Sequence, residues 1–183
     1  MRDPILLVVQ GMRTENDYFT SLRRKLGLSN VKIKVEVDSP ELMVKKTLKS
    51  VDHDKDAPFR AIYYIVDVDD TTDNQFHQAF AAAKKATTNR TQHYFVVSFE
   101  SFDTWLLAHF EPLKGKHIPR KDMQAKLLKK KMLEGKRISA DFPVSEYESA
   151  QQNVDICGFN ELSWKTVNTA VPNLIAELVE SLV

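Results

Sequence analysis

Short apolar runs without polar interruption constrain the fold of this chain most strongly. Residues 5–9 and 61–66 are apolar or aromatic throughout, and residues 94–97 form a third run of this kind. Such runs, bounded by turn-forming residues, are typical of strands buried on both faces of a parallel sheet. Residues 31–37 instead alternate between apolar and charged side chains, which predicts a half-exposed strand at the edge of the sheet.

Segments with helical periodicity separate these strands. Thr14 and Asp17 have the spacing of a capping box, so a helix is predicted to begin there. Three further helices are predicted. One begins after Ser39, one covers about residues 74–86, and one begins after Ser101, whose side chain is the predicted cap. Four strands with three connecting helices form the βαβ repeat of a doubly wound sheet. The predicted fold is therefore an α/β, parallel four-stranded sheet flanked by helices.

The βαβ pattern stops in the last third of the chain. A basic helix is predicted from about residue 120 to residue 134, and a second helix with one apolar face at the C-terminus. Residues 135–170 show weak periodicity, and no element is assigned to them.

A chain of 183 residues fits one domain. We predict an α/β core over residues 1–111 and a basic helical extension over residues 112–183 that packs on it.

The net charge of +1 conceals an uneven distribution of charge. Residues 114–137 contain ten Lys or Arg and two acids, a local balance of +8 that leaves −7 for the rest of the chain. Such a segment is a candidate for phosphate contacts, and Lys126, Lys129, Lys130 and Arg137 are the predicted nucleic-acid-binding residues. The alternative is a solvated helix whose apolar face packs on the core.

Several classes of protein are not expected. Cys157 is the only cysteine, so the chain can form neither an internal disulfide nor a cysteine-based zinc site. A glycine-rich Walker loop is absent, so nucleotide hydrolysis by this chain alone is not expected. No apolar run reaches the length of a membrane span, and the N-terminus does not resemble a signal peptide. We expect a cytoplasmic location without membrane contact, and leave the oligomeric state open.

Acidic and amide side chains follow the predicted strands. Gln10 and Glu15 follow the first strand, Asp67 and Asp69 end the third, and Asp103 follows the fourth. The carboxyl ends of parallel strands share one edge of the sheet, where ligands bind. Neighbouring carboxylates repel each other unless a cation neutralises them, and Mg²⁺ is a cation that prefers oxygen ligands. The alternative is that these acids only cap helices and solubilise loops.

Four sequence blocks are more specific than any single residue. Residues 8–19 are VVQGMRTENDYF, residues 65–70 are IVDVDD, residues 98–110 are SFESFDTWLLAHF and residues 168–175 are NTAVPNLI. In this order they resemble four segments of the RloB-like family of bacterial phage-defence proteins. Those segments are the opening CEGxxTExxYF, the Asp-x-Asp strand end, SNPxFExWLLxHF and NPSTxVxxL. The ordered set covers most of the chain.

The resemblance implies a Toprim-like (Rossmann-like) fold and a role in antiviral defence by abortive infection, commonly beside an ATPase partner. It also implies phosphodiester chemistry with Mg²⁺ or Mn²⁺. Asp67 and Asp69 match the family's metal-binding pair directly. The family's glutamate position falls on Gln10, and its third acidic position, a glutamate, falls on Asp103. Glu15 either compensates for the missing charge at position 10 or only stabilises the N-terminus of its helix.

Two hypotheses follow for the function. In the first, the chain is a Mg²⁺- or Mn²⁺-dependent nuclease acting on DNA or RNA. Its catalytic residues are then Asp67, Asp69, Asp103 and Glu15, and its metal ligands are Asp67, Asp69, Asp103 and Gln10. In the second, the chain is a catalytically degenerate binding or regulatory subunit for nucleic acid or an ATPase partner. The second hypothesis is motivated by Gln10, because an amide carries no charge and is not a general base.

Overall fold

The computed structural model describes residues 3–51, 59–68 and 71–182. The strands are β1 (Ile5–Val9), β2 (Val31–Val35), β3 (Ala61–Asp67), β4 (Gln92–Phe99), β5 (Leu133–Glu134), β6 (Arg137–Ile138), β7 (Asp155–Ile156) and β8 (Asn168–Thr169). The α-helices are α1 (Thr14–Leu26), α2 (Pro40–Val51), α3 (Asp73–Ala86), α4 (Asp103–Ala108), α5 (Arg120–Lys129), α6 (Tyr147–Gln152) and α7 (Val171–Glu180), and a 3-10 turn covers Val144–Glu146.

The central sheet has the strand order β2-β1-β3-β4-β8-β7. The first four strands are parallel, which confirms the predicted four-stranded sheet of a Rossmann-like fold. Strand β3 is buried along its whole length, whereas β2 lies at the edge and buries only Val31 fully, as the alternating sequence predicts. Strand β8 pairs antiparallel with β4 and parallel with β7, so the unassigned stretch 135–170 contributes to the sheet.

Helices cover both faces of the sheet. Alternate residues of each parallel strand point to opposite faces, which explains why the central strands are apolar at every position. One face, with Leu7 and Tyr63, packs against α1, α4, α5 and α7. The other face, with Val8 and Tyr64, packs against α2 and α3. Two hydrophobic layers therefore hold the strand ends in a fixed arrangement.

The predicted capping box of α1 is wrong. Arg13 precedes the helix without a side-chain cap, and the Thr14 hydroxyl donates to the backbone carbonyl of Lys136 at 2.8 Å. The Thr14 hydroxyl thus binds a segment that is distant in sequence, a contact that local spacing does not reveal. A true capping box occurs at α3, between Thr72 and Gln75. The end of α1 at Gly27, in the left-handed conformation, is an ordinary glycine stop.

The predicted cap of α4 by Ser101 is also wrong. The helix begins at Asp103, and the residue before it, Phe102, donates its backbone N–H to the Asp67 carboxylate at 2.8 Å. The orphan donor at the start of α4 is therefore satisfied from the end of β3 rather than from its own sequence. This contact connects two of the predicted site segments directly.

The basic helix is shorter than predicted. It ends at Lys129, and Lys131 adopts the left-handed conformation that turns the chain into a hairpin of β5 and β6. Gly135 has a φ of 64° at the first position of the two-residue turn, where a type II′ hairpin favours glycine. Within the described ranges, no helix combines the length and the apolar character needed to cross a membrane.

Candidate functional site

A cleft of about 700 Å³ opens at the carboxyl edge of the sheet. Its lining brings together four of the predicted site residues, which are Gln10, Glu15, Asp67 and Asp103. They come from the β1–α1 turn, the start of α1, the end of β3 and the start of α4. The fifth predicted residue, Asp69, lies outside the described residues.

Glu15 faces the cleft from the first turn of α1 and is only 6% exposed. Its carboxylate lies directly against Gly11, where the Cβ of any other residue would overlap it. The glycine of the β1–α1 turn therefore makes the space that Glu15 occupies. Of the two interpretations of this residue, the placement fits a carboxylate that belongs to the cleft, although it also lies near the helix N-terminus.

Asp67 is the last residue of β3 and is 8% exposed. Burial raises its pKa well above the ordinary value, and the nearby Glu15 carboxylate raises it further. The positive charge of Arg120 and the hydrogen bond from the Phe102 N–H oppose this rise without cancelling it. The ionised form of Asp67 is therefore unfavourable in this cleft unless an additional positive charge is present.

The other two carboxylates behave in the same way. Burial raises the pKa of Asp103 to about 6, a rise that the nearby Ser101 hydroxyl only partly opposes. Burial also raises the pKa of Glu15, to which the charge of Asp103 adds. The three carboxyl groups come from three separate segments, and neighbouring carboxylates add to the rise in the pKa of Glu15 and Asp67. Such a cluster is characteristic of sites that bind cations or transfer protons.

Gln10 has a structural use in this arrangement. Its Nε2 donates to the backbone carbonyl of Asp38 at 2.8 Å, and its Oε1 accepts a long hydrogen bond of 3.4 Å from the Asp67 N–H. The amide thereby bridges the segment after β2 and the end of β3. A glutamate at this position has no donor for the Asp38 carbonyl, so the amide is the side chain that satisfies both contacts.

Arg120 is the site residue that the sequence analysis missed. It is the first residue of α5, it lines the cleft, and its charge lowers the pKa of both Glu15 and Asp67. Its backbone N–H also donates to the Glu100 carboxylate at 2.7 Å. The only available signal was its position in the basic segment after Pro119, which does not distinguish it from nine other basic residues.

A comparison with protein-family models matches residues 5–178 to the model of the RloB-like protein. The chain belongs to the RloB-like family. Searches of the curated proteins and of the solved structures find no match. The family match covers nearly the whole chain, including every segment that contributes to the cleft.

In this RloB-like protein the four predicted nucleic-acid-binding residues lie away from the cleft lining. Lys126 pairs with Glu111 at 2.6 Å, and Lys130 lies 5.7 Å above the ring centre of Phe110. Lys129 is exposed on α5. Lys126 and Lys129 on α5 and Lys130 directly after it are exposed basic residues, and their role in binding stays a prediction.

Arg137 has a different environment from the α5 lysines. Two of its guanidinium nitrogens donate to the two carboxylate oxygens of Asp17, each at 3.0 Å. A two-bond pair of this kind fixes geometry as well as charge. Arg137 therefore connects the β5–β6 hairpin to the first turn of α1.

The carboxylates of the RloB-like cleft have the chemistry of a site for a hard divalent cation. Glu15, Asp67 and Asp103 line the same cleft, and a cation bound among them would relieve the repulsion between their carboxylates. Among the described residues, which do not include Asp69, no three His, Cys, Asp or Glu side chains are already arranged to hold a metal ion. The carboxylate oxygens of the cleft are of the type that Mg²⁺ or Mn²⁺ prefers, and Asp69 stays a predicted ligand.

Proposed function

We propose that this RloB-like protein is a Mg²⁺- or Mn²⁺-dependent nuclease that cleaves phosphodiester bonds of DNA or RNA. The proposal rests on one observation: Glu15, Asp67 and Asp103 share a cleft in which each pKa is raised. The resemblance to Toprim-like sites adds support, because such sites use acids at the ends of parallel strands. Asp69 remains a predicted ligand beside Asp67.

Each carboxylate has a role that follows from its surroundings. Asp67 and Asp103 would hold the cation with Asp69, and Glu15 would complete the acidic surface. The bound ion would polarise the scissile phosphate and lower the pKa of a water molecule. The Phe102 N–H orients Asp67 through its hydrogen bond at 2.8 Å.

The proposed biological role rests on the resemblance to the RloB-like family and not on the geometry of the cleft. We extend the proposal to an effector of antiviral defence that acts by abortive infection beside an ATPase partner. The acidic cleft of the described chain supplies the chemistry, and the partner would control when that chemistry is used.

A second candidate function is a catalytically degenerate subunit that binds nucleic acid or the ATPase partner. The observation that favours it is the Gln10 amide, whose donor and acceptor are both used in contacts with backbone atoms. In this alternative the position has exchanged a charged ligand for a structural bridge. The residual acids would then help to shape the cleft without supporting cleavage.

A cleavage assay tests the first function against the second. The protein is incubated with tRNA, plasmid and single-stranded DNA, each with Mn²⁺ and with a chelator. We expect Mn²⁺-dependent cleavage by the wild type and none by Asp67→Asn, in which the amide oxygen still accepts from the Phe102 N–H. The control is Glu148→Gln, which neutralises an exposed acid on α6. Absence of cleavage by the wild type, or unchanged cleavage by folded Asp67→Asn, would contradict the nuclease proposal.

A further inference from the structure

Two cations on the rim of the cleft have no acidic partner in the described chain. Arg13 lies directly before α1, and Lys136 lies at the tip of the β5–β6 hairpin. Both side chains are exposed and both residues line the cleft. Across residues 3–51, 59–68 and 71–182, neither side chain forms a hydrogen bond or an ion pair. Their charges are thus available to an anionic ligand that enters the cleft.

The position of Lys136 is fixed by its neighbours on both sides. Arg137 makes two hydrogen bonds of 3.0 Å to Asp17, and the Thr14 hydroxyl donates to the Lys136 carbonyl at 2.8 Å. Gly135 provides the positive φ that the hairpin turn requires. The hairpin tip is therefore held against the first turn of α1, the turn that also carries Glu15.

We propose that Arg13 and Lys136 form a cationic wall that binds the backbone of one unpaired nucleic acid strand. In the same proposal, Arg137 and Asp17 are positioning residues that hold this wall beside the carboxylates. The inference deepens the proposed function and rests on it for the identity of the ligand. The chemistry of the wall is recognition of phosphate by point charges and a guanidinium, which does not select a base sequence.

The depth of the cleft favours a single strand over a duplex. Asp67 and Glu15 are 8% and 6% exposed, so the scissile phosphate has to enter the cleft to reach them. Bending a duplex costs free energy, a penalty that an unpaired strand entering the cleft does not carry. An unpaired strand is flexible and exposes the faces of its bases.

The lining of the cleft also offers an apolar surface to such a base. Met12 and Val37 line the cleft and are 65% and 59% exposed, so their apolar surface is accessible to a ligand in the cleft. Proteins that bind single strands combine a positive groove with side chains, usually aromatic, that pack on the faces of the bases. The cationic wall and these apolar side chains line the same cleft, so both kinds of contact are available to one strand.

Binding without metal tests the inference separately from cleavage. We would measure fluorescence anisotropy of labelled oligonucleotides of about 12 nucleotides, as single-stranded RNA, single-stranded DNA and duplex, in a chelator. Lys136→Gln and Arg13→Gln should each weaken single-strand binding by roughly threefold or more and reduce the dependence of log affinity on log salt by about 0.7. The matched control is Lys85→Gln, which removes the same charge from an exposed position on α3 outside the cleft lining and should change affinity by less than about twofold.

Asp17→Asn separates positioning from direct phosphate contact. Removal of a negative charge strengthens binding to a polyanion if charge alone matters. If Asp17 holds the hairpin in place, Asp17→Asn instead weakens single-strand binding, as Arg137→Gln does. Circular dichroism and thermal unfolding would show that both variants are folded.

Three results would overturn the inference. These are duplex binding as tight as single-strand binding, a larger loss in Lys85→Gln than in Lys136→Gln, and stronger binding by Asp17→Asn. None of them depends on cleavage. Conversely, a wild type that binds single strands through Lys136 but cleaves nothing would contradict the proposed nuclease and leave this inference intact.

Discussion

The carboxylate of Glu15 lies against the Cα of Gly11, in space that a side chain at position 11 would fill. A Gly11→Ala variant should therefore displace this carboxylate. The displaced group is the end of a flexible side chain, so we expect a loss of stability below about 1 kcal/mol together with a clear loss of Mn²⁺-dependent stabilisation. Thermal unfolding with and without Mn²⁺ measures both effects.

Gly27→Ala is the matched control for this substitution. Gly27 has a φ of 67° and open space around its Cα. Alanine there should cost about 1 kcal/mol through backbone strain and leave the response to Mn²⁺ unchanged. A Gly11→Ala protein that responds to Mn²⁺ like the wild type would show that Glu15 is not needed where the structure places it.

Asp103 gives the metal-free protein a pH-dependent stability. Its pKa is raised to about 6 by burial, above the ordinary value near 3.8, so the folded state favours the protonated form. The associated stability is fully present below about pH 4 and is lost as pH rises through 6. In a chelator at pH 8, Asp103→Asn should raise the free energy of unfolding by up to about 2–3 kcal/mol. The gain should disappear towards pH 4, and a gain that does not vary with pH would contradict this origin.

His109 has the opposite effect on stability from Asp103: it should lower the free energy of unfolding as the pH falls. Burial lowers its pKa to about 4, and its ring lies between the Tyr18 hydroxyl, 3.4 Å from Nε2, and the Trp105 carbonyl, 3.0 Å from Nδ1. A buried neutral histidine contributes stability above about pH 6.5 that is lost as pH falls through 4. His109→Phe should therefore flatten the fall in unfolding free energy between these values by up to about 1.4 kcal/mol per pH unit. Urea unfolding across this range measures the slope, and an unchanged slope would mean that His109 titrates normally.

Cys157 should be chemically inert in the folded protein. Burial, and then the charge of Glu161, raise the pKa of its thiol to about 12, so the reactive thiolate is scarce at neutral pH. We expect alkylation by iodoacetamide to be slow in buffer and fast in urea, as followed by mass spectrometry. Equal rates in both conditions would indicate an accessible thiolate.

The parallel sheet was predictable from the sequence because its signals are local. The apolar runs at β1, β3 and β4 mark strands buried on both faces, and parallel strands bring their ends to one edge. This reasoning placed Gln10, Asp67 and Asp103 together without any coordinates. Strands β7 and β8 were missed because two-residue strands have no detectable periodicity.

The remaining features of the cleft depend on contacts between distant segments. The hydrogen bond from Thr14 to Lys136 and the pair of Asp17 with Arg137 span about 120 residues each, so helix-capping rules gave the wrong partners for the start of α1. Arg120 enters the cleft because α5 packs beside α4. Local sequence patterns do not encode such packing, although they supply the residue types that make it useful.

Direct measurement of Mn²⁺ binding by isothermal titration calorimetry tests the central claim that Glu15, Asp67 and Asp103 form one cation site. The comparison is the wild type with Asp67→Asn and with the surface control Glu148→Gln, at a pH above 7 where the carboxylates ionise more readily. We expect one Mn²⁺ per chain in the wild type and the control, and a loss of at least tenfold in affinity in Asp67→Asn. Equal affinities in all three proteins, or no binding to the wild type, would contradict the account.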